Sequence, residues 1–488
     1  MSTDTAERLT APPRATLLVV CVALAAVVSA VASLNVAIPS IAADTHASQT
    51  ELSWVIDAYS LVFAALLLPA GALGDRYGRR RALLAGLAIF GAGSVAAMAY
   101  ADAHWLIAMR AVLGIGAALV MPATLSTITS TFPDEMRARA VGTWAGVAGG
   151  SAILGLLTSG IVLQIWSWRS VFALSAVLAV LAIAGTHAVV PESADPHAPP
   201  VDRVGAVITA VGLGILVYSI IEAPTQGWTS MQTIAGMAAG ILVLAGFVVW
   251  ELRLEHPLLD PRLFVRGGVS AGTLTVSAQF FVFFGFIFIL LQYLQLVAGY
   301  GPLDSALRMV PLALGLLPAA RGLAPRMAER IGSLRTSALG LAIAAVAFGL
   351  LSRLDATTSY GWLVLGLVPL GIGMGLAMTP ATAAITDALP AEQQGVGSAL
   401  NDLARELGGA LGIAVLGSIL ASTYRDRLSG FPAPARESLA LARRLGPTVA
   451  GHAEHAFVDG LQHALLAGSA LLVVVAIAVV VLGRRSAT

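Results

Sequence analysis

The sequence predicts an all-α polytopic membrane protein, and three observations carry that reading. Of its 488 residues, 57% are hydrophobic and only 11% are charged, whereas a soluble domain carries about a quarter charged residues. Apolar runs of spanning length, roughly 20 residues each, recur about fourteen times, and mean hydropathy is +0.85. Arginines gather in alternate gaps between these runs, as they do when basic loops stay on the cytoplasmic side.

The same composition excludes several classes. A net charge of +1 makes no case for a nucleic-acid partner. No lysine occurs, so the ATP-binding loop Gly-x4-Gly-Lys-Ser/Thr is absent, and with it a Walker-type ATPase. Cys21 is the single cysteine, which excludes a disulfide framework or a cysteine-based metal site. No His-Glu-x-x-His occurs and the histidines fall mostly in loops or at span ends, so an enzyme is not expected. His452-Ala-Glu454-His455, with Asp459 and His463, reads as an ordinary polar loop. No metal or other cofactor is expected.

In chain order, residues 1–14 form a polar cytoplasmic tail. Spans near 15–41, 52–72, 82–100, 104–131, 138–162 and 168–190 make a first six-helix half, 15–190. Residues 191–203, rich in proline and acid, are a cytoplasmic linker. Spans near 204–222 and 233–251, with an inner loop, form an insert over 204–266. Spans near 270–298, 305–324, 334–351, 361–386, 399–421 and 461–483 complete a second half, 267–488. Both termini are then expected on the cytoplasmic side, with the chain in the inner (cytoplasmic) membrane of a cell. A long outer loop, 422–460, holds Arg425, Arg427, Arg436, Arg443 and Arg444 against the rule, but long loops cross with less regard to charge.

The stretch 71–81 sits between spans 2 and 3. Arg76, Arg79, Arg80 and Arg81 crowd around Asp75, and Gly71, Gly74 and Gly78 leave room for a tight reversal. The equivalent hairpin of the second half, 320–335, again gathers four arginines (Arg321, Arg326, Arg330, Arg335) with Gly322 and Gly332. This is read as a worn internal repeat of two six-helix units.

The stretch Gly71-x-Leu-x-Asp75-Arg76-x-Gly78-Arg79-Arg80 resembles motif A of the major facilitator superfamily. Arg110, Gly114, Gly116 and Pro122 in span 4 resemble motif B, whose arginine is implicated in proton coupling. In span 5, Gly146, Gly150, Gly155 and Gly160 are similar to motif C, the antiporter signature, and a stripe of small residues allows close helix packing. Three positions depart from the family pattern, one of them Ser159, where the closing Gly-Gly of motif C reads Ser159-Gly160. Leu156 stands where motif C has proline, and Ala30 stands where span 1 often has an acid before Asn35-Val-Ala-Ile-Pro39. The fourteen-span count is similar to the drug:proton antiporter branch. The resemblance implies the major facilitator fold, two six-helix halves plus two extra central helices. In that family the motif A aspartate faces a second-half helix, so Asp75 is expected near Ser398–Asn401, latching the inner side.

Ionisable groups inside the membrane are costly and face a partner or a wet cavity. Asp57, about one turn into span 2, reads either as an interfacial acid at a helix start or as a cavity carboxylate. Arg110 reads as a proton-coupling group or as a tie between helices. Glu406 is the best acid of the second half, because Arg405 cannot neutralise both it and Asp402. Burial favours the neutral carboxyl, so Asp57 or Glu406 is expected to exchange protons, with Arg110 assisting. Asn35, Gln279, Gln292, Phe284 and Glu222 join Asp57 as expected cavity residues, an amide and aromatic lining that suits a greasy ligand.

The expected function is proton-coupled export of lipophilic small molecules, cations among them, by alternating access. The expected partners are that substrate, protons and the lipid bilayer, with the chain a monomer. A dedicated self-resistance exporter of one natural product is the near alternative, and a non-transporting sensor or scaffold is the alternative of another class.

Overall fold

A computed structural model describes residues 13–194, 202–255, 257–389 and 394–485, and the described residues are helices and their connections. The first half comprises α1 (Pro13–Thr45), α2 (Gln49–Tyr77), α3 (Arg79–Ala97), α4 (Ala103–Thr131), α5 (Asp134–Ile165) and α6 (Arg169–Val189). The insert is α7 (Arg203–Gln226) and α8 (Met231–Glu251). The second half opens with α9 (Gly267–Gln292). Its next span is assembled from α10 (Pro302–Arg308), α11 (Val310–Pro318) and α12 (Ala324–Ile331). Then come α13 (Ser333–Leu351), α14 (Tyr360–Asp387), α15 (Gln394–Arg427), the short α16 (Ala433–Glu437) and α17 (Leu439–Ala442), and α18 (Pro447–Arg485). Fourteen spans among the described residues are long and apolar enough to cross a membrane.

Local chemistry explains the boundaries. Ser48 and Glu51 form a reciprocal capping box at the start of α2, each satisfying a backbone N–H of the other's turn. At its other end a single residue, Gly78, separates α2 from α3. Its φ of 120° is a conformation that side chains rarely adopt, which is why the reversal needs glycine there. Asp102 and Ser230 cap α4 and α8 through their side chains. The span after α9 is broken because Pro302, Pro311, Pro318 and Pro325 each remove a backbone donor, and a π-turn over 319–323 absorbs one interruption.

Small residues bring the helices together in matching places in the two halves. A Cβ on Gly116 of α4 would lie 2.7 Å from the Gly86 carbonyl of α3, and one on Gly340 of α13 would lie 2.5 Å from the Gly373 carbonyl of α14. Likewise Gly155 of α5 abuts Ser29 of α1, and Gly412 of α15 abuts Phe281 of α9. Spans 3 and 4 thus mirror spans 11 and 12, and spans 1 and 5 mirror 9 and 13. Van der Waals contact, rather than the hydrophobic effect, drives such association in lipid.

The insert leans on the seam between the halves. Ser418 of α15 donates to the Ile220 carbonyl of α7 at 2.8 Å, and Trp54 of α2 donates to Glu222 of α7 at 3.0 Å. Packing of α8 is chiefly against α7.

One expectation changes in form. The stretch 422–460 is mostly helical: α15 runs on to Arg427 and α18 begins at Pro447, leaving a connection of 428–446 that itself holds α16 and α17. Three of its five arginines find acids there. Arg425 meets Glu437 at 3.3 Å, Arg427 meets Asp459 at 3.0 Å and Arg443 meets Glu454 at 3.5 Å. His452 and His455 each donate Nδ1–H to a backbone carbonyl one turn back. Apolar periodicity had ended at the polar residues, but ion pairs continue the helices past the membrane edge.

Candidate functional site

A central cavity of about 180 Å³ lies between the halves. From the first half, α1 supplies Val27, Val31 and Asn35, α2 supplies Phe63, and α5 supplies Ala152 and Leu156. From the second, α9 supplies Phe280, Phe284 and Ile287, α14 supplies Met374 and Met378, and α15 supplies Arg405 and Glu406. The lining is apolar, aromatic and methionine-rich, with charge confined to the α15 wall. Methionine and phenylalanine give a surface that adapts to differently shaped ligands.

On that wall Arg405 reaches Asp402 at 3.5 Å and lies over the Phe280 ring, 4.8 Å from its centroid. Glu406 is 8% exposed and has no hydrogen bond or ion pair among the described residues. It is the lining's available carboxylate. Asn35 donates to the Val31 carbonyl, and its buried Oδ1 accepts nothing.

Arg110 lies beside this chamber, buried at 1% exposure. Its Nε donates to the Val55 carbonyl at 2.9 Å and a terminal nitrogen donates to the Ile56 carbonyl at 3.4 Å. Its guanidinium sits 4.3 Å from the centre of the Tyr59 ring. Backbone carbonyls and a ring face, not a carboxylate, thus hold this cation. Tyr59 donates in turn to the Val27 carbonyl of α1 at 3.1 Å, so it links Arg110 to the α1 wall of the chamber.

The structure places Asp57 away from the lining. It is fully buried, and neither carboxylate oxygen has a hydrogen-bond partner among the described residues. One turn earlier on the same face, Ser53 abuts Gly417 of α15, so Asp57 belongs to the α2–α15 seam. Gln279 is also buried, tying α9 to α14 through a 2.7 Å bond to the Met374 carbonyl. Gln292 bonds back to Phe288 of its own helix. Glu222 accepts from Trp54 at the far end of α7. Of the expected cavity residues, the lining holds Asn35 and Phe284. Leu156, noted for the missing proline, faces the cavity, and α5 runs continuously through it.

The four motif C glycines of α5 divide into two pairs. A Cβ on Gly155 would meet the Ser29 carbonyl at 2.8 Å, and one on Gly160 would meet the Leu303 Cα at 2.9 Å. One on Gly146 or Gly150 would meet nothing within 4 Å. Close packing is confined to the end of α5 remote from residues 71–81. Contacts between the halves cluster at that same end. Gln295 donates to the Val36 carbonyl at 2.9 Å, and Arg444 reaches the Ala43 carbonyl at 2.6 Å and His46 at 3.1 Å.

At the opposite, basic face, Asp75 is paired with Arg79 one turn on, at 2.8 Å. Asn401, near the expected latch position, accepts from Thr382, and the Ser398 side chain lies outside the described residues. The hairpin also grips the end of its own half. Glu192 accepts from the Arg80 amide at 3.1 Å and lies 3.5 Å from Arg81, while Arg80 donates to the His187 carbonyl at 2.8 Å. The Glu192 carboxylate fills the space that a Cβ on Gly78 would take, and Gly71 packs on Pro122 of α4. Glu192 carried no motif, so the sequence offered no signal for it.

Known proteins match this arrangement. The methyl viologen resistance protein SmvA of Salmonella typhimurium is 34% identical over 462 residues, 91% of this chain and 93% of that protein. The tetracenomycin C resistance and export protein of Streptomyces glaucescens is 31% identical, covering 92% of this chain and 83% of that one. A solved bacterial homologue of the human lysosomal transporter Spinster superposes with a TM-score of 0.68 at 16% identity, covering 98% of each chain, which speaks to the fold alone. The family profile of the Major Facilitator Superfamily matches residues 18–413. On the match of profile, relatives and fold, the chain is a membrane transporter, not an enzyme, and belongs to the Major Facilitator Superfamily.

Proposed function

We propose that the chain exports lipophilic small molecules, cations among them, by alternating access driven by returning protons. The observation that carries this reading is the apolar, methionine- and phenylalanine-lined cavity whose available carboxylate is Glu406. A greasy cation gains dispersion contact with the rings and an opposite charge at one wall, without needing a shape-specific hydrogen-bond pattern. The names of the relatives, resistance to methyl viologen and export of tetracenomycin C, support a drug-like cargo. The second of those names also favours the narrower reading, a self-resistance exporter of one natural product.

Proton coupling is assigned to Glu406, Asp57 and Arg110. A buried carboxylate without a partner is costly when ionised, so Asp57 and Glu406 are the groups whose protonation depends most on which face is open. Arg110 holds the Tyr59 ring and contributes fixed positive charge. One charge returning through 100 mV releases about 2.3 kcal/mol. We place the chain in the cytoplasmic membrane with its basic face and both termini in the cytoplasm, and read it as a monomer. In this state the halves meet at the outer end. On outward opening the Asp75 hairpin would latch against α15.

The test is efflux of a lipophilic cation from vesicles with and without an imposed pH gradient. Gradient-dependent movement supports the reading. Failure of cationic and neutral lipophiles alike to move in response to the gradient contradicts it.

A further inference from the structure

The basic-face end of the insert carries two acids remote from the cavity lining. Asp202 caps α7 and Glu251 ends α8. A Cβ on Gly205 would run into both Asp202 Oδ2 and Glu251 Oε1, so these two oxygens crowd one methyl-sized space. Glu251 is 0% exposed, a burial that glutamate rarely reaches without a partner.

The donors around the pair are unequal. Asp202 accepts at both oxygens, from the Val204 amide at 3.0 Å and from the Trp250 indole at 2.9 Å. Glu251 accepts at Oε2 from the Leu259 amide at 3.3 Å, while its buried Oε1 has no partner among the described residues. Arg203, Arg253 and Glu255 are exposed, and Arg262 lies 3.7 Å from Asp260 and donates to the Leu252 carbonyl. No ion pair joins these three arginines to Asp202 or Glu251 among the described residues. Across the cleft between α2 and α7, Arg76 stands on the α2 side, opposite Arg203. A metal cation would need further oxygen ligands, whereas the oxygens beside this pair already receive N–H donors. A proton meets the geometry with one bond, from the oxygen that lacks a donor to the carboxylate that has two.

We propose that Asp202 and Glu251 share one proton, held on Glu251 Oε1 and donated to Asp202 Oδ2, which closes a clasp between the insert and the second half. The other Glu251 oxygen holds Leu259, and beyond it the chain packs into the second half. Leu263 shares an apolar cluster with Val269 and Ile385, and Arg266 donates to the Ala388 carbonyl at 2.7 Å. Rising pH at the basic face removes the proton, sets two carboxylates against each other and frees the connection at Leu259. The clasp is separate from the central cavity and acts whatever the cavity carries.

The full chain in neutral detergent is followed by hydrogen exchange and mass spectrometry over residues 258–263, corrected for the intrinsic rise of exchange with pH. In the parent, corrected exchange should rise about fivefold from mildly acid to alkaline pH, the weight of one hydrogen bond. Glu251→Gln keeps the protonated geometry, its Nε2 donating to Asp202 and its Oε1 accepting from Leu259, and should hold exchange low at every pH. Asp202→Asn sets an amide donor against the Val204 or Trp250 N–H and should leave exchange high at every pH. Parental exchange that ignores pH, fast exchange in Glu251→Gln, or the same slow exchange in both variants would each overturn the proposal. So would slowing of the parent's alkaline exchange by sodium or magnesium ions, which would identify a metal-cation site instead.

Discussion

Gly160 offers a direct test of how the halves are held together. A methyl group there would arrive 2.9 Å from the Leu303 Cα and 3.3 Å from both the Leu303 nitrogen and the Pro302 carbonyl oxygen. All three are backbone atoms, so no side chain can turn aside. Overpacking of this kind costs about 1–3 kcal/mol. The strain falls on a contact between α5 and α10 that joins the two halves at their closed end, so it is relieved when that end opens. The equilibrium should shift towards that opening by about 5- to 150-fold. The assay uses a Cys21→Ala background with Ala313→Cys in the cavity wall, labelled by a membrane-impermeant maleimide from the face remote from residues 71–81. Gly160→Ala should speed labelling. Gly150→Ala, whose new methyl meets nothing within 4 Å, should not. Equal labelling of the two variants would refute the inference that this contact is the seal.

Further expectations concern the charges. Glu406→Gln should weaken binding of cationic substrates about ten- to a hundredfold, the range of about 1.5–3 kcal/mol for a charged contact, and spare neutral ones; equal loss for both, read by equilibrium dialysis, would show that Glu406 does not select charge. Asp57→Asn should preserve the affinity for cations and neutrals alike while gradient-driven accumulation falls to that of empty vesicles, because Asp57 lies off the cavity lining. Preferential loss of cation binding would instead place it in contact with substrate. Glu192→Ala removes the acceptor of the Arg80 amide and should cost about 1 kcal/mol of local stability, as loss of a helix cap does. Hydrogen exchange at 79–82 should rise about fivefold, and unchanged exchange would count against the Glu192 anchor.

Much of the architecture was legible because the bilayer imposes length and apolarity on each span. The repeat, the basic hairpin and Glu406 as a candidate acid were equally readable, since arginine clusters and intramembrane acids stand out from such a background, and Glu406 does line the cavity. The faces of the helices were not. Asp57, Gln279 and Gln292 are polar residues in apolar helices, and nothing in their neighbours distinguishes a cavity wall from a seam. Which one each faces depends on where α2, α9 and α15 cross, a property of three helices together. The same holds for α5, where four similar glycines split into packed and open pairs according to whether α1 or α10 happens to lie opposite. Tyr59 gains its place under the Arg110 guanidinium only once α2 meets α4. Glu192 acts through a fold-dependent meeting of the end of α6 with the hairpin.

The central claim is exchange of a lipophilic substrate for protons through one cavity. It is tested most directly in proteoliposomes with no imposed gradient and a pH dye trapped inside. An outward-directed concentration gradient of a lipophilic cation should drive protons inward, acidifying the lumen in step with substrate loss, and Glu406→Gln should abolish the acidification. Substrate leaving through the protein with no change in internal pH would contradict the account.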